Sequence, residues 1–256
     1  MNTEKISQIT TKTFTPPHPL KTAVLFMVFK RPDTTKQVFE AIRQAKPPRL
    51  YVAADGPRDD KAGEAEKVEQ ARRIAMQVDW ECEVKTLFRD KNLGCRVGVS
   101  TAIDWFFENE EEGIILEDDC LPSQSFFWFC EELLERYRGD LRVMMIGGNN
   151  KGVNFLKDCS YFFSKYVQIW GWATWRRSWE KYDYKIKKWE LIKEQISNYI
   201  YSPKEIKIRI KQFDSVYNNK LDTWDFQWNF TCLINHGLSI LPSLNMISNI
   251  MKCNYH

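Results

Sequence analysis

Short apolar runs alternate with amphipathic segments through the first half of the chain, and this alternation limits the fold more than any other feature. The runs VLFMV, LYVAA, CEVKTLF and GIILE each have the composition of a strand. The segments TTKQVFEAIRQAK, 64–78 and 97–109 have the apolar spacing of helices. Strands and helices that alternate at this spacing are typical of right-handed βαβ units. The first half is therefore predicted to form an open, parallel α/β sheet.

The rhythm changes after residue 119. A helix from Ser125 to Arg138 is predicted to lead into a strand, RVMMIGGNN, and then into an aromatic stretch and a lysine-rich helical stretch that reaches about residue 213. No internal repeat or low-complexity linker separates these parts. We therefore expect one domain, 21–256, after a flexible polar lead-in, 1–20.

Composition excludes several classes of protein. The net charge of +3 over 256 residues gives no reason to expect a nucleic acid as partner. The 7 cysteines show no CxxC spacing, which favours reduced thiols in the cytoplasm over a disulfide framework or a zinc site. The first twenty residues lack the apolar stretch of a signal peptide, and no run of eighteen apolar residues follows. A cytoplasmic protein that does not cross a membrane is expected.

Three adjacent carboxylates, Glu117, Asp118 and Asp119, directly follow the predicted strand GIILE. Asp55 also follows a strand, and ligands of open α/β sheets bind at the carboxyl ends of strands. Clustered carboxylates repel one another unless a cation compensates them, and Mg²⁺ or Mn²⁺ prefers oxygen ligands. The triplet therefore predicts a metal that holds a phosphorylated ligand. The alternative is an acidic run that caps the next helix or faces solvent.

The order of FKRP, AADGP, RDKNLGCRVGVSTAIDWFF and EDD, followed by WGWATW and TWDFQW, resembles the nucleotide-sugar glycosyltransferases of the GT-A fold. Closest are the bacterial hemolytic protein HlpA-like glycosyltransferases and, more remotely, N-acetylglucosaminyltransferase I. The resemblance implies a Rossmann-like, mostly parallel sheet flanked by helices. It also implies a nucleotide-binding half, 21–120, and an elaborated acceptor-binding half, 121–256.

The activity implied by the resemblance is an inverting, metal-dependent transfer of a hexosyl or N-acetylhexosaminyl group. The donor would be a nucleotide-diphospho-sugar, with UDP favoured, and the acceptor a hydroxyl of a saccharide or lipid-linked saccharide in surface polysaccharide or glycan synthesis. Asp119 would bind Mn²⁺ or Mg²⁺, with Glu117 and Asp118 near the ribose or sugar. Asp55 would bind uracil, unless it only forms the Asp-Gly-Pro turn.

Arg31 matches a family arginine near the nucleotide, although it could instead form an ion pair at a helix start. Two further arginines, Arg89 and Arg96, flank DKNLGC, and Arg96 is favoured for the diphosphate or ribose. Asp225 corresponds to the family's catalytic base, with Asp222 as the second choice and helix capping as the alternative role. The predicted sugar contacts are Trp170, Gly171, Trp172 and Trp224. Two further tryptophans, Trp175 and Trp179, are expected in the core.

Three alternatives stay open. The lysine-rich stretch from Arg176 to Lys211 is either a solvated helix face or a peripheral contact with the inner face of a membrane. The tail NMISNIMKCNYH lacks the glycine of the family's closing loop and ends in His256, so donor closure could differ. The rival functions are a sugar-phosphate nucleotidyltransferase, which would ordinarily carry a glycine-rich loop after its first strand, and an inactive GT-A fold that binds glycans.

Overall fold

The computed structural model describes residues 14–150 and 159–251. The elements of the first half are β1 (Val24–Val28), α1 (Pro32–Ala45), β2 (Arg49–Ala54), α2 (Glu64–Ala75), β3 (Glu83–Phe88), α3 (Gly94–Asn109) and β4 (Glu112–Glu117). The elements of the second half are β5 (Cys120–Pro122), α4 (Gln124–Tyr137), β6 (Val143–Gly147), β7 (Tyr161–Ser164), β8 (Trp172–Trp175), α5 (Arg176–Trp179), α6 (Trp189–Glu194), a 3₁₀ turn (Ile196–Asn198), α7 (Pro203–Tyr217), α8 (Asp225–Ile234), β9 (Leu238–Pro242) and β10 (Ile247–Asn249).

One 8-stranded sheet runs through both halves of the chain, in the order β3-β2-β1-β4-β8-β6-β9-β7. The strands β8 and β7 run antiparallel to the other six, so the sheet is mostly parallel. Helices flank it on both faces. The predicted α/β fold is therefore confirmed. A second sheet of 2 strands pairs β10 with β5.

Strand β1 shows how the sheet is buried on both faces. Val24, Phe26 and Val28 pack on one face with α1 and α4, whereas Leu25 and Met27 pack on the other face with α3. Successive side chains of a strand point to opposite faces, so an uninterrupted apolar run satisfies both layers. This is the physical reason that the run VLFMV predicts a central parallel strand.

A third apolar cluster lies outside the two layers of the sheet and joins α6, α7 and α8. Its centre is formed by Trp189, Phe213 and Phe230, whose ring centroids lie 5.2 to 6.0 Å apart. The lysine-rich stretch is therefore an amphipathic layer whose apolar side is buried against α8. No helix in the described part of the chain is long and apolar enough to cross a membrane.

The predicted lead-in is described from Phe14 onwards, and this part lies against α4. The ring of Phe14 lies 5.3 Å from that of Trp128, and the Trp128 indole donates a hydrogen bond of 2.8 Å to the carbonyl of His18. Leu20 is buried. Residues 14–19 are otherwise exposed, and the flexible lead-in over 1–20 stays a prediction.

Candidate functional site

A cavity of about 430 Å³ opens where β1, β2 and β4 end, at the edge of the sheet where open α/β folds bind ligands. We call it the strand-end cavity. Four predicted nucleotide-binding residues line it: Arg31, Asp55, Glu117 and Asp118. The topology therefore brings together side chains that lie up to 87 positions apart in sequence.

A larger cavity of about 910 Å³ lies at the amino ends of β1 and β4. Its charges are largely paired with one another, as in the contacts of 2.6 Å between Arg49 and Glu110 and 2.7 Å between Arg138 and Glu112. Paired charges offer less to a ligand than unpaired ones, because their interactions are already satisfied. Volume alone therefore does not select the functional site.

Arg31 organises the acidic triplet. Its Nε donates to Asp118 Oδ1 at 2.9 Å, and its Nη1 lies 3.0 Å from Asp119 Oδ2. Asp118 also accepts the backbone N–H of Phe29 at 3.2 Å. Burial by itself would lower the pKa of Arg31, but the carboxylates of Asp118 and Asp119 raise it above the ordinary value. The ion pair considered as the alternative role of Arg31, at the start of α1, therefore forms with carboxylates of the site itself.

Glu117 is the member of the triplet whose charge is not compensated. No described residue donates a hydrogen bond to its carboxylate, although it lies on the wall of the strand-end cavity. Burial, together with the negative charges of Asp119, Asp118 and Asp225, raises the pKa of Glu117 to about 8. A carboxyl with this pKa is mostly protonated at neutral pH, and a cation or hydroxyl donors from a ligand would favour its charged form.

The triplet fits a hard divalent cation through the chemistry of its oxygen donors. Asp119 is buried, lies beside Asp118 and does not line the strand-end cavity. Within residues 14–150 and 159–251, no group of three acidic, histidine or cysteine side chains encloses a cation by itself. Mg²⁺ commonly uses one or two protein carboxylates and completes its shell with phosphate oxygens and water. The triplet therefore offers oxygen donors of the type such a metal uses, and the metal itself stays a prediction.

Two carboxylates hold the start of α3 against the strand-end cavity. Asp55 accepts the backbone N–H groups of Leu93 at 2.9 Å and Gly94 at 3.2 Å. Asp222 accepts those of Cys95 at 2.8 Å and Arg96 at 3.0 Å. The first N–H groups of a helix have no partner within the helix, so both carboxylates act as caps supplied from other segments. The second choice for a catalytic base, Asp222, is thus occupied by capping.

Asp55 retains capacity for a ligand beside this structural role. Burial raises the pKa of Asp55 above its ordinary value, while the bonds from the backbone of the α3 start act in the opposite direction. A carboxylate has about four lone-pair sites, and the backbone uses only part of them. Its position on the cavity wall is compatible with the predicted contact to a base.

Arg96 was predicted to bind the nucleotide, but its side chain lies away from the strand-end cavity. Its side chain is only 7% exposed, does not line the strand-end cavity, and donates to Asn219 Oδ1 at 2.8 Å. Arg96 lies on the buried stripe of α3 with Ser100, Ile103 and Phe107, and this spacing could have revealed its inward direction from sequence.

Arg89 lies on the cavity wall instead of Arg96. It follows β3 and donates to the carbonyl of Gly98 at 3.2 Å. Burial lowers the pKa of Arg89, and the nearby carboxylate of Asp55 partly opposes this. The available sequence signal was the position of Arg89 at the end of a strand, next to an asparagine–glycine turn.

Asp225 is the first residue of α8 and lines a second cavity, of about 700 Å³, which we call the aromatic cavity. Trp170 and Asn229 share that wall. The charge of Asp225 also contributes to the raised pKa of Glu117 and of the Cys95 thiol, both of which line the strand-end cavity. Asp222, three positions before Asp225, lines the strand-end cavity, so the segment 222–225 reaches the walls of both cavities.

The tryptophans on either side of Gly171 differ in their exposure to solvent. Trp170 is 44% exposed, whereas Trp172 is 1% exposed and stacks on Trp224, with ring centroids 5.7 Å apart. Trp172 belongs to β8, between β4 and β6, and not to a loop. The predicted sugar contacts through Trp172 and Trp224 are therefore replaced by core packing.

Core burial is confirmed for the two tryptophans expected there, Trp175 at 1% and Trp179 at 3% exposure. Gly171 has a φ of +57°, and a Cβ at this position would lie 2.3 Å from Ile247 Cδ1. A glycine is required there by both the backbone and the close approach of β10. Gly171 therefore has a structural role, at the turn between the exposed Trp170 and the buried Trp172.

The chain up to Met251 covers the acidic triplet. Strand β10 pairs with β5, and the N–H of Ile250 donates to the carbonyl of Asp119 at 2.8 Å. The Met251 sulfur lies 3.3 Å from Arg31 Nη1. The tail from 252 to 256, including His256, lies outside the described residues.

No protein-family model matches the chain, and no curated protein is significantly similar to it. Among solved structures, the chain is similar to the crystal structure of HddC from Yersinia pseudotuberculosis. The TM-score is 0.37 at 8% sequence identity, over 61% of this chain and 77% of that one. The function must therefore be argued from the geometry of the site.

Proposed function

We propose that the chain is an inverting glycosyltransferase that moves a sugar from a nucleotide-diphospho-sugar, with UDP favoured, to a saccharide hydroxyl. The observation that supports this most strongly is the position of Asp225. It lines the aromatic cavity, while Asp222, three positions earlier, lines the strand-end cavity. A transferase needs a base between two bound substrates, and Asp225 is placed for that role.

The strand-end cavity suits the donor. Asp55 would accept the N–H of uracil with its remaining lone pairs, and the guanidinium of Arg89 lies on the same wall. Asp119, with Asp118 beside it, would hold Mn²⁺ or Mg²⁺. Such an ion acts as a Lewis acid on the leaving diphosphate. Glu117 would accept hydroxyl groups of the ribose or sugar, since it has no donor among the described residues.

Asp225 would perform the proton transfer. Its carboxylate takes the proton of the acceptor hydroxyl while that oxygen forms a bond to the anomeric carbon. The bond from this carbon to the diphosphate breaks, and the diphosphate leaves with the electron pair. Asp225 is the first residue of α8, and the Thr223 hydroxyl donates to its Oδ1 and fixes its direction.

The test is isothermal titration of the whole chain with UDP, GDP and CMP, each with Mn²⁺ and again with EDTA. We expect UDP to bind in the presence of Mn²⁺, and Asp119→Asn to lose this binding. Asp60→Asn is the matched control, because Asp60 is an exposed aspartate outside the strand-end cavity. Equal affinity for GDP would contradict the role of Asp55. A chain that binds no nucleotide at all would contradict the proposed function.

A further inference from the structure

We propose that the acceptor is a neutral oligosaccharide of several sugar units, bound along a groove that begins at Asp225. This inference rests on the proposed function of Asp225. The aromatic cavity adjoins a further cavity of about 430 Å³, and the two share a wall formed by Ser164, Tyr166, Glu205, Arg209 and Asn229. We call the two together the extended groove. The further cavity is not lined by Asp225, so the extended groove offers a second binding space away from the proposed base.

Exposed aromatic rings follow the extended groove from end to end. Trp170 is 44% exposed at the end nearest Asp225, Tyr166 is 50% exposed in the shared wall, and Tyr201 is 81% exposed at the far end. Single exposed apolar side chains are normal, but several that line one concave surface indicate a binding site. The C–H face of a sugar ring is flat and apolar, and an aromatic ring covers it well.

Trp170 is the clearest of these rings. Among the described residues its indole contacts no other aromatic ring and makes no hydrogen bond, although Trp172, two positions later, is packed among three aromatic partners. An indole carries both a large apolar surface and an N–H donor. A sugar ring bound over it would use both properties.

The polar groups of the extended groove are arranged on the facing sides of two helices. Glu205, Arg209 and Gln212 follow one another at i, i+4 and i+7 on α7, and Asn229 lies one turn after Asp225 on α8. Amides and carboxylates that project into a cavity suit the hydroxyl rim of a sugar. Asn229 is thus placed to orient the unit whose hydroxyl reaches Asp225.

The charged side chains that line the extended groove are Lys165, Glu205, Arg209 and Asp225, and their charges sum to zero, which favours a neutral ligand. Glu205 Oε1 lies 3.5 Å from Arg209 Nε, and Glu205 Oε2 accepts the hydroxyl of Tyr166 at 2.8 Å. The ion pair is mostly shielded from solvent, with side-chain exposures of 18% and 21%. Lys165 is the other cation of the groove, and its Nζ lies 5.3 Å from the centroid of the Tyr201 ring. An anionic lipid surface attracts clusters of basic residues, and this groove has as many acidic as basic side chains, whereas a saccharide needs only hydrogen-bonding groups.

The experiment measures binding of immobilised gluco-, galacto-, manno- and N-acetylglucosamine oligosaccharides, from one to six units, to the whole chain without any donor. We expect affinity to rise with length. Trp170→Ala should weaken binding at every length by about tenfold. Tyr201→Ala should weaken only the longer ligands by about tenfold, because its ring lies at the far end. Tyr217→Ala is the matched control, since Tyr217 is an exposed tyrosine outside the extended groove.

Thermal unfolding of each variant shows whether it is folded. Because these rings are exposed, we expect all three variants to fold. Equal binding of mono- and hexasaccharides, or no binding of any oligosaccharide, would overturn the inference. Tyr201-dependent binding to phosphatidylglycerol vesicles, in the absence of saccharide binding, would also overturn the inference.

Titration of the same preparation with UDP and Mn²⁺ separates this inference from the proposed function. UDP binding without saccharide binding overturns only the extended groove, whereas saccharide binding without nucleotide binding overturns only the transferase.

Discussion

The strand-end cavity reaches Asp222 and the extended groove begins at Asp225, but the two are built from different kinds of segment. The first is formed by short loops after three neighbouring strands, and its charged groups are fixed by backbone amides and by Arg31. The second is formed by α7 and α8 together with residues 162–170 and 199–202, and exposed rings line it. A charged donor can be bound by a few fixed polar groups, whereas an uncharged saccharide needs a large contact surface.

The largest effect is expected at the junction of the two cavities. Asp225→Asn keeps the shape of the side chain but removes the base, so sugar transfer should fall by about 10² to 10⁴-fold. UDP binding should stay unchanged, because the strand-end cavity keeps all its own residues. Single-turnover transfer from a UDP-sugar, together with UDP titration, tests both statements. A variant that transferred sugar at the rate of the unmodified chain would show that another group is the base.

The two tryptophans that flank Gly171 give the next largest effect. Trp172→Ala should lower the free energy of unfolding by about 3–5 kcal/mol, because it leaves a cavity in a fully packed cluster. Trp170→Ala should change the free energy of unfolding by less than about 0.5 kcal/mol, since its ring is on the surface. Urea denaturation compares the two variants directly. Similar losses for both would show that Trp170 is a core residue and not a free wall of the extended groove.

Gly171→Ala should cost about 1–3 kcal/mol of folding free energy. Its positive φ strains any other residue, and the added methyl group would meet Ile247 of β10. The displacement of β10 would reach the acidic triplet through the backbone bond from Ile250 to Asp119. Gly139→Ala is a suitable control, since a Cβ there meets no atom within 4 Å. Thermal denaturation that affected both variants equally would exclude the packing explanation.

The sheet could be predicted because its signals are local. In α1, the spacing of Val38, Phe39, Ile42 and Ala45 indicates the buried face without knowledge of any other segment, and these side chains are buried. The placement of Asp55 and the triplet followed from topology, because parallel strands end at the same edge of the sheet. The antiparallel insertion of β8 between β4 and β6 was not predictable in this way, since pairing depends on distant segments.

The site residues that were mispredicted share one physical cause. Side-chain direction decides whether Arg96, Trp172 or Trp224 faces a ligand or the core, and residue type does not determine direction. Trp172 and Trp224 lie 52 positions apart, yet their rings stack at an interplanar angle of 18°. No local pattern encodes such a contact. A tryptophan motif therefore predicts a packed aromatic region more securely than it predicts which ring is exposed.

The smallest effect on stability is expected from substitution of Asp222, whose carboxylate in the second half of the chain caps α3 in the first half. Asp222→Ala should lower stability by about 1 kcal/mol, because the N–H groups of Cys95 and Arg96 lose their acceptor. Asp222→Asn should retain most of that stability, since asparagine also caps helices well.

If Asp222 acts only as a cap, both variants should transfer sugar at rates that follow the stability of α3, and neither should reproduce the large loss expected for Asp225→Asn. The measurement is the transfer rate plotted against the urea midpoint for the two Asp222 variants. A strong loss of transfer in Asp222→Asn at unchanged stability would move the base from the aromatic cavity to the strand-end cavity. It would also remove the main reason for placing the acceptor beside Trp170.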